Sequence, residues 1–221
     1  IQKNVEVMEA AANAVQTQAS IGMATQADVL KAQKNLQSIK STQTETLSSL
    51  ETLRQNLCMM TGWSYNAQPE IKEVPQADLA AIDQINLEAD RQKALENNYD
   101  LQYSRRALNN MQENSTDKKN QERTVKNLEQ SISASMTNLY NDIQQKKIAW
   151  QLAQAELATE QQSMSATETK RGLGMVSDLE YLQAQSSFLG KQIAEKTANM
   201  ALFQAVETYN WAVNGYLNQT Q

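Results

Sequence analysis

The sequence has 221 residues, a formal net charge of −5, no histidine, one cysteine, six glycines and two prolines. The missing imidazole removes Ser-His and Cys-His nucleophile activation and His-ligated zinc, and Cys58 alone makes neither an intramolecular disulfide nor a cysteine-rich metal site. So few breakers imply few turns and long elements, and the acidic balance without a basic patch argues against nucleic acid as a partner.

Ile1 to Ala19 reads as helix, with a turn near Ser20-Ile21-Gly22. Because Ile1 already stands in a helical pattern, the chain reads as a mature or trimmed fragment, and no signal peptide is visible in it. Ala27 to Thr61 reads as a second helix, with Leu30, Leu36, Leu47, Leu50, Leu57 and Met60 among its apolar positions and Gly62 as its C-cap. Both prolines, Pro69 and Pro75, fall between Trp63 and Ala77, which marks a linker, and Ile71-Lys72-Glu73-Val74 suits a short extended piece. Helix resumes near Leu79 or Ile85 and runs to about Met111. The helix-poor cluster Asn114-Ser115-Thr116-Asp117 predicts a turn or kink.

From Asn120 to Lys170 there is no Gly or Pro, and Met136, Ile143, Trp150, Leu157 and Met164 recur every seventh residue. Leu139, Lys146, Ala153, Glu160 and Thr167 form a half-polar second seam. Lys146 and Glu160 suit either an aqueous lumen or an ion pair with a neighbouring helix. A break at Gly172-Leu173-Gly174 precedes a last helical stretch, Asp178 to Asn214. Long helices joined by short turns make antiparallel hairpins. The chain divides at this level into a first hairpin (1–62), a linker (63–85) and a second set of helices with its own hairpin (86–221). Cys58, beside Met59 and Met60, reads as a core residue, and Trp63 and Trp211 as anchors at the ends of equivalent helices.

The two hairpins are related in sequence. Residues 22–33, GMATQADVLKAQ, align without gaps on residues 174–185, GMVSDLEYLQAQ, with five identities. Further on the register slips by one, and Gly62 matches Gly215. A repeat of this kind points to duplication. Gly22 and Gly174 suit the left-handed residue that ends a helix; Thr25 and Ser177 suit N-caps, with Asp28 and Glu180 three residues later as capping-box partners. Met23, Ala24, Met175 and Val176 are left as apolar side chains at a tip, which suggests a docking surface. No catalytic residue, metal site or cofactor site can be assembled from the sequence.

These paired Gly-x-x-Ser/Thr-x-x-Asp/Glu-x-Leu-x-Ala-Gln segments resemble the hairpin-tip signature of the outer-membrane efflux proteins, the TolC-like family. Ala94-Leu95-Glu96-Asn97-Asn98-Tyr99-Asp100-Leu101 is similar to that family's Ala-Leu-x-x-Asn-x-x-Leu segment. The resemblance implies an all-α chain of long antiparallel coiled-coil hairpins in two repeats, closing on trimerisation into a TolC-like α-barrel. It also implies a homotrimer in the cell envelope, periplasmic or outer-membrane associated, that conducts passively without catalysis. Its tips, Gly22, Met23, Ala24 and Thr25 with Gly172, Leu173, Gly174, Met175, Val176 and Ser177, would dock a periplasmic adaptor (membrane fusion) protein and through it an inner-membrane transporter. The family places β-strands for a membrane barrel in each repeat, and none is legible between Asp100 and Trp150. The chain therefore resembles either a barrel-less relative or one from which the strands were removed. Only about 20 residues precede the first tip where about 50 precede the second, so symmetry predicts residues upstream of Ile1. A flagellin-like or needle-tip-like secretion-apparatus protein shares the helical, Gln/Asn/Ser/Thr-rich, histidine-free profile and is the alternative.

Overall fold

The computed structural model describes residues 1–113 and 115–217. It is all-α: α1 (Gln2–Ser20), α2 (Gln26–Met60), α3 (Leu79–Asp83), α4 (Leu87–Asn97), α5 (Tyr99–Asn109), α6 (Thr116–Gly172) and α7 (Asp178–Val213), with no strand among the described residues. In a chain this rich in Ser and Thr, helix-interior hydroxyls bond back to the carbonyl one turn earlier. Thr46 Oγ1 donates to the Thr42 carbonyl at 2.7 Å, Ser133 Oγ to Glu129 at 2.7 Å and Thr137 Oγ1 to Ser133 at 3.0 Å.

The helix expected from about residue 79 to Met111 is three helices instead. Asn86 and Asn98 interrupt it, their side-chain oxygens accepting from the Ala89 and Leu101 amides at 3.1 and 2.9 Å. Asparagine competes for the backbone and wins most readily as a cap. The turn expected at 114–117 is partly covered by the structure: Asn114 lies outside the described residues, while Ser115 Oγ accepts from the Lys118 amide at 3.1 Å and starts α6. Ile71 to Val74 adopt neither helix nor strand.

The chain forms two compact units that are discontinuous in sequence, 1–73 with 156–193, and 74–155 with 194–221. In the first unit α1 and α2 pack side by side in opposite directions. Glu9 pairs with Lys40 at 2.8 Å, while Val15, nearer the end of α1, shares a groove with Asp28 and Ala32. The N-terminal part of α7 joins them where Ser186 Oγ donates to Asn4 Oδ1 at 2.6 Å. Lys191 meets Glu156 at 2.8 Å, so α7 also returns along α6. Cys58 is fully buried, its thiol facing the Ala67 carbonyl at 3.6 Å, and Arg54 Nη1 donates to the same carbonyl at 2.5 Å.

The second unit holds the main core. Met136, Ile143 and Trp150 of the α6 seam pack with Ile82, Ala94, Leu101, Leu202, Ala205, Tyr209 and Ala212. Most of the polar groups taken inside are satisfied, Arg91 Nε being a buried exception. Trp150 Nε1 donates to Glu195 at 2.7 Å and Tyr209 Oη to Asp90 at 3.2 Å. Burial first, and then the Asp90 charge, pushes the Tyr209 phenol above its ordinary value, so it remains a neutral donor. Buried Asn199 holds the end of the linker: its Oδ1 accepts from the Ala77 amide at 3.1 Å and its Nδ2 donates to the Pro75 carbonyl at 3.2 Å. Trp63 and Trp211 are more than half exposed and so are not buried anchors; Trp211 meets Tyr216 edge-on at 5.6 Å.

Candidate functional site

The repeated sequence folds into a repeated turn. At the first tip Gly22 has φ +77°, its amide donates to the Ala19 carbonyl at 3.1 Å, and the Met23 amide reaches back to Gln18 at 2.8 Å. At the second Gly174 has φ +71°, its amide donates to Arg171 at 2.9 Å, and the Met175 amide to Lys170 at 2.9 Å. Both are the six-to-one and five-to-two bonds of a Schellman end, which needs a left-handed residue and so selects glycine. Gly172, by contrast, is the last residue of α6.

The next helix starts the same way at both places. The Thr25 amide donates to Asp28 Oδ2 at 2.9 Å, and the Asp28 amide to Thr25 Oγ1 at 3.3 Å. The Ser177 amide donates to Glu180 Oε2 at 2.8 Å, and the Glu180 amide to Ser177 Oγ at 3.2 Å. Thr25 Oγ1 and Ser177 Oγ also donate to those carboxylates, at 2.7 and 2.8 Å. Each is a complete capping box. The hydrogen bond from the Thr25 side chain holds the Asp28 carboxyl below its ordinary range; for Glu180 the backbone bond from Ser177 does so first.

What remains is a matched apolar display. Met23 and Met175 are 76% and 70% exposed, and Ile21 and Leu173 are 65% and 71% exposed. Ala24 and Val176 are half-buried. Ile21 is missing from the tip residues read from the sequence, although the same ungapped alignment extended one residue back pairs it with Leu173. The tips differ in their charged side chains. Arg171 Nη2 donates to Asp178 at 2.9 Å, and its guanidinium lies 3.8 Å from the Tyr181 ring centroid. Ala19, Gln26 and Val29 occupy the corresponding places at the first tip. No sequence signal reveals this clasp, because Arg171 and Asp178 are brought together by the turn and not by helical periodicity.

Among the described residues there is no cluster of three His, Cys, Asp or Glu side chains that could hold a metal ion, and no helix is long and apolar enough to cross a membrane. In comparison with known proteins, no family model matches the chain and no curated protein matches it.

Proposed function

We propose that this chain is a TolC-like duct component of a tripartite efflux or type I secretion system in the cell envelope. In this reading α1–α2 and α6–α7 are two coiled-coil hairpins from a duplicated unit. Three chains close them into a helical periplasmic tunnel, and the hairpin tips dock a periplasmic adaptor that connects to an inner-membrane transporter. The chain acts as a passive conduit with no catalysis and no cofactor. The reading concerns the helical duct and not a membrane barrel.

The observation that carries it is the pair of tips. Two segments 152 residues apart build the same glycine-ended turn and the same capping box, and each leaves one Met and one Ile or Leu in water. Well-capped turns alone do not require exposed apolar side chains, and placing four at the two turns has a cost in solubility that a partner would remove. The test has two parts. Mass measurement of the native protein should give a trimer. A photo-crosslinking residue placed at Met23 or Met175 should capture a membrane-fusion-type adaptor in cells, while one at the exposed Tyr103 should not. A monomer that captures no adaptor at either tip overturns the duct reading. Fibres with longitudinal subunit contacts would favour the secretion-filament alternative.

A further inference from the structure

Where α7 ends, the second unit has an open cleft of about 440 Å³, a size that holds small molecules. One wall is aromatic. Trp211 and Tyr216 stand with their ring planes at 80°, and they are 57% and 71% exposed. A second wall is Ser135, Asn138 and Leu139, which share one face of α6 at helical spacing. The Ser135 hydroxyl, the Asn138 carboxamide and the Trp211 indole N–H have no protein partner among the described residues. Among those residues no charged side chain lines the cleft. The aromatic corner is fixed before any ligand arrives. The Tyr216 amide donates to the Trp211 carbonyl at 2.9 Å, and Asn98 Nδ2 donates to the Gly215 carbonyl at 3.2 Å. Ala212, which also lines the cleft, belongs to the buried core. Walls ordered in advance spare a ligand the cost of ordering them.

We propose that this cleft binds a neutral saccharide. The C–H face of a sugar ring is apolar and packs on an aromatic side chain, while the hydroxyls at its rim both donate and accept. The cleft supplies both kinds of contact: Trp211 and Tyr216 for the ring, and Ser135, Asn138 and the indole N–H for the hydroxyls. An ion finds no counter-charge here, and a nucleotide would bring its phosphates to a cleft without Lys or Arg. A purely apolar ligand would strip water from the Ser135 hydroxyl and the Asn138 carboxamide and replace it with nothing. The repeat supplies a contrast within the chain. Trp63 follows Gly62 as Tyr216 follows Gly215, but buried Cys58 stands four residues before Gly62 where Trp211 stands four before Gly215. The first-repeat helix end therefore has one aromatic side chain at these two places, and the second has a pair. The saccharide site holds whether or not the tips dock an adaptor.

Indole NMR tests it, since the three tryptophans give three N–H signals. The probes are maltotriose, which offers hydroxyls alone, and chitotriose, which adds acetamido groups. The Trp211 signal should shift saturably with at least one of them at millimolar sugar, while the Trp63 and Trp150 signals stay in place. Tyr216→Ala should weaken the binding read at Trp211 about tenfold, the size of one lost aromatic contact. Trp63→Ala should leave it unchanged. The Trp150 signal, whose N–H is bonded to Glu195, checks that each variant is folded. No saturable shift with either sugar overturns the proposal, as does an equal shift at Trp63 or undiminished binding in Tyr216→Ala. A Trp211 signal that moves with protein concentration in the absence of sugar also overturns it, because a second copy then fills the cleft.

Discussion

Two helix ends, Gly174 at the second tip and Gly215 after α7, share one backbone motif and sit in opposite settings. Gly215 has φ +92°, its amide donates to Ala212 at 2.9 Å, and the Tyr216 amide donates to Trp211 at 2.9 Å, the same Schellman pattern as at the tip. Around Gly174 an added Cβ would meet nothing within 4 Å, whereas at Gly215 it would fall 2.4 Å from the Asn97 carbonyl oxygen. The Asn97 and Asn98 side chains lock the same place, donating to the Val213 and Gly215 carbonyls at 3.1 and 3.2 Å. One local instruction thus ends a helix in open water and also ends one against another backbone. The difference separates a turn that displays side chains from a turn that assembles a core.

The largest effect should come from Gly215→Ala. The left-handed conformation and a clash with backbone that cannot swing away act together, and we expect a loss of about 3 kcal/mol in chemical denaturation. Asn98→Ala comes next. Asn98 is 3% exposed, and the change removes the α5 cap and the side-chain donor to the Gly215 carbonyl, for about 2 kcal/mol. Gly174→Ala meets only the backbone penalty and should cost about 1 kcal/mol. Equal losses for the two glycine variants would break the comparison, because the close approach at Gly215 would then contribute nothing.

The comparison also shows where the sequence is readable. Gly22, Gly62, Gly174 and Gly215 all take positive φ, as their places in the repeat imply, because a helix stop is encoded within a few residues. The α6 seam is readable for a similar reason: Met136, Ile143, Trp150 and Met164 are buried, and Leu157 between the last two is half-buried. Asn98 is harder. It stands in an otherwise helical stretch, and its decision to cap depends on Gly215, which is far along the chain. Asn199 is unreadable in the same way, since a polar residue on a helix gives no sign that it will hold Ala77 and Pro75. The clasp of Arg171 with Asp178 and Tyr181 depends on a turn geometry that spacing does not express.

Within the tips the smallest expected effect is the most specific to the repeat. Thr25→Ala and Ser177→Ala should each cost about 1 kcal/mol of local helix stability, because each removes a side-chain acceptor for a first-turn amide. The carboxylate halves of the two boxes add a pH dependence whose sign is fixed. Asp28 and Glu180 both have folded-state values below their ordinary ones, so their contribution is fully present above the ordinary carboxylate range. It is lost as pH falls through the lowered folded values. Carbon-detected NMR titration of the two side chains should show both midpoints displaced downward, with the Thr25 and Ser177 amide signals moving in step. The Thr25→Ala variant should return only the Asp28 midpoint toward its ordinary value, since the side-chain bond from Thr25 is its main cause. Glu180 in the Ser177→Ala variant should keep more of its displacement, because there the Ser177 backbone amide is the larger influence and survives the substitution. Identical responses in the two variants would mean that the boxes are the same in energy as well as in geometry.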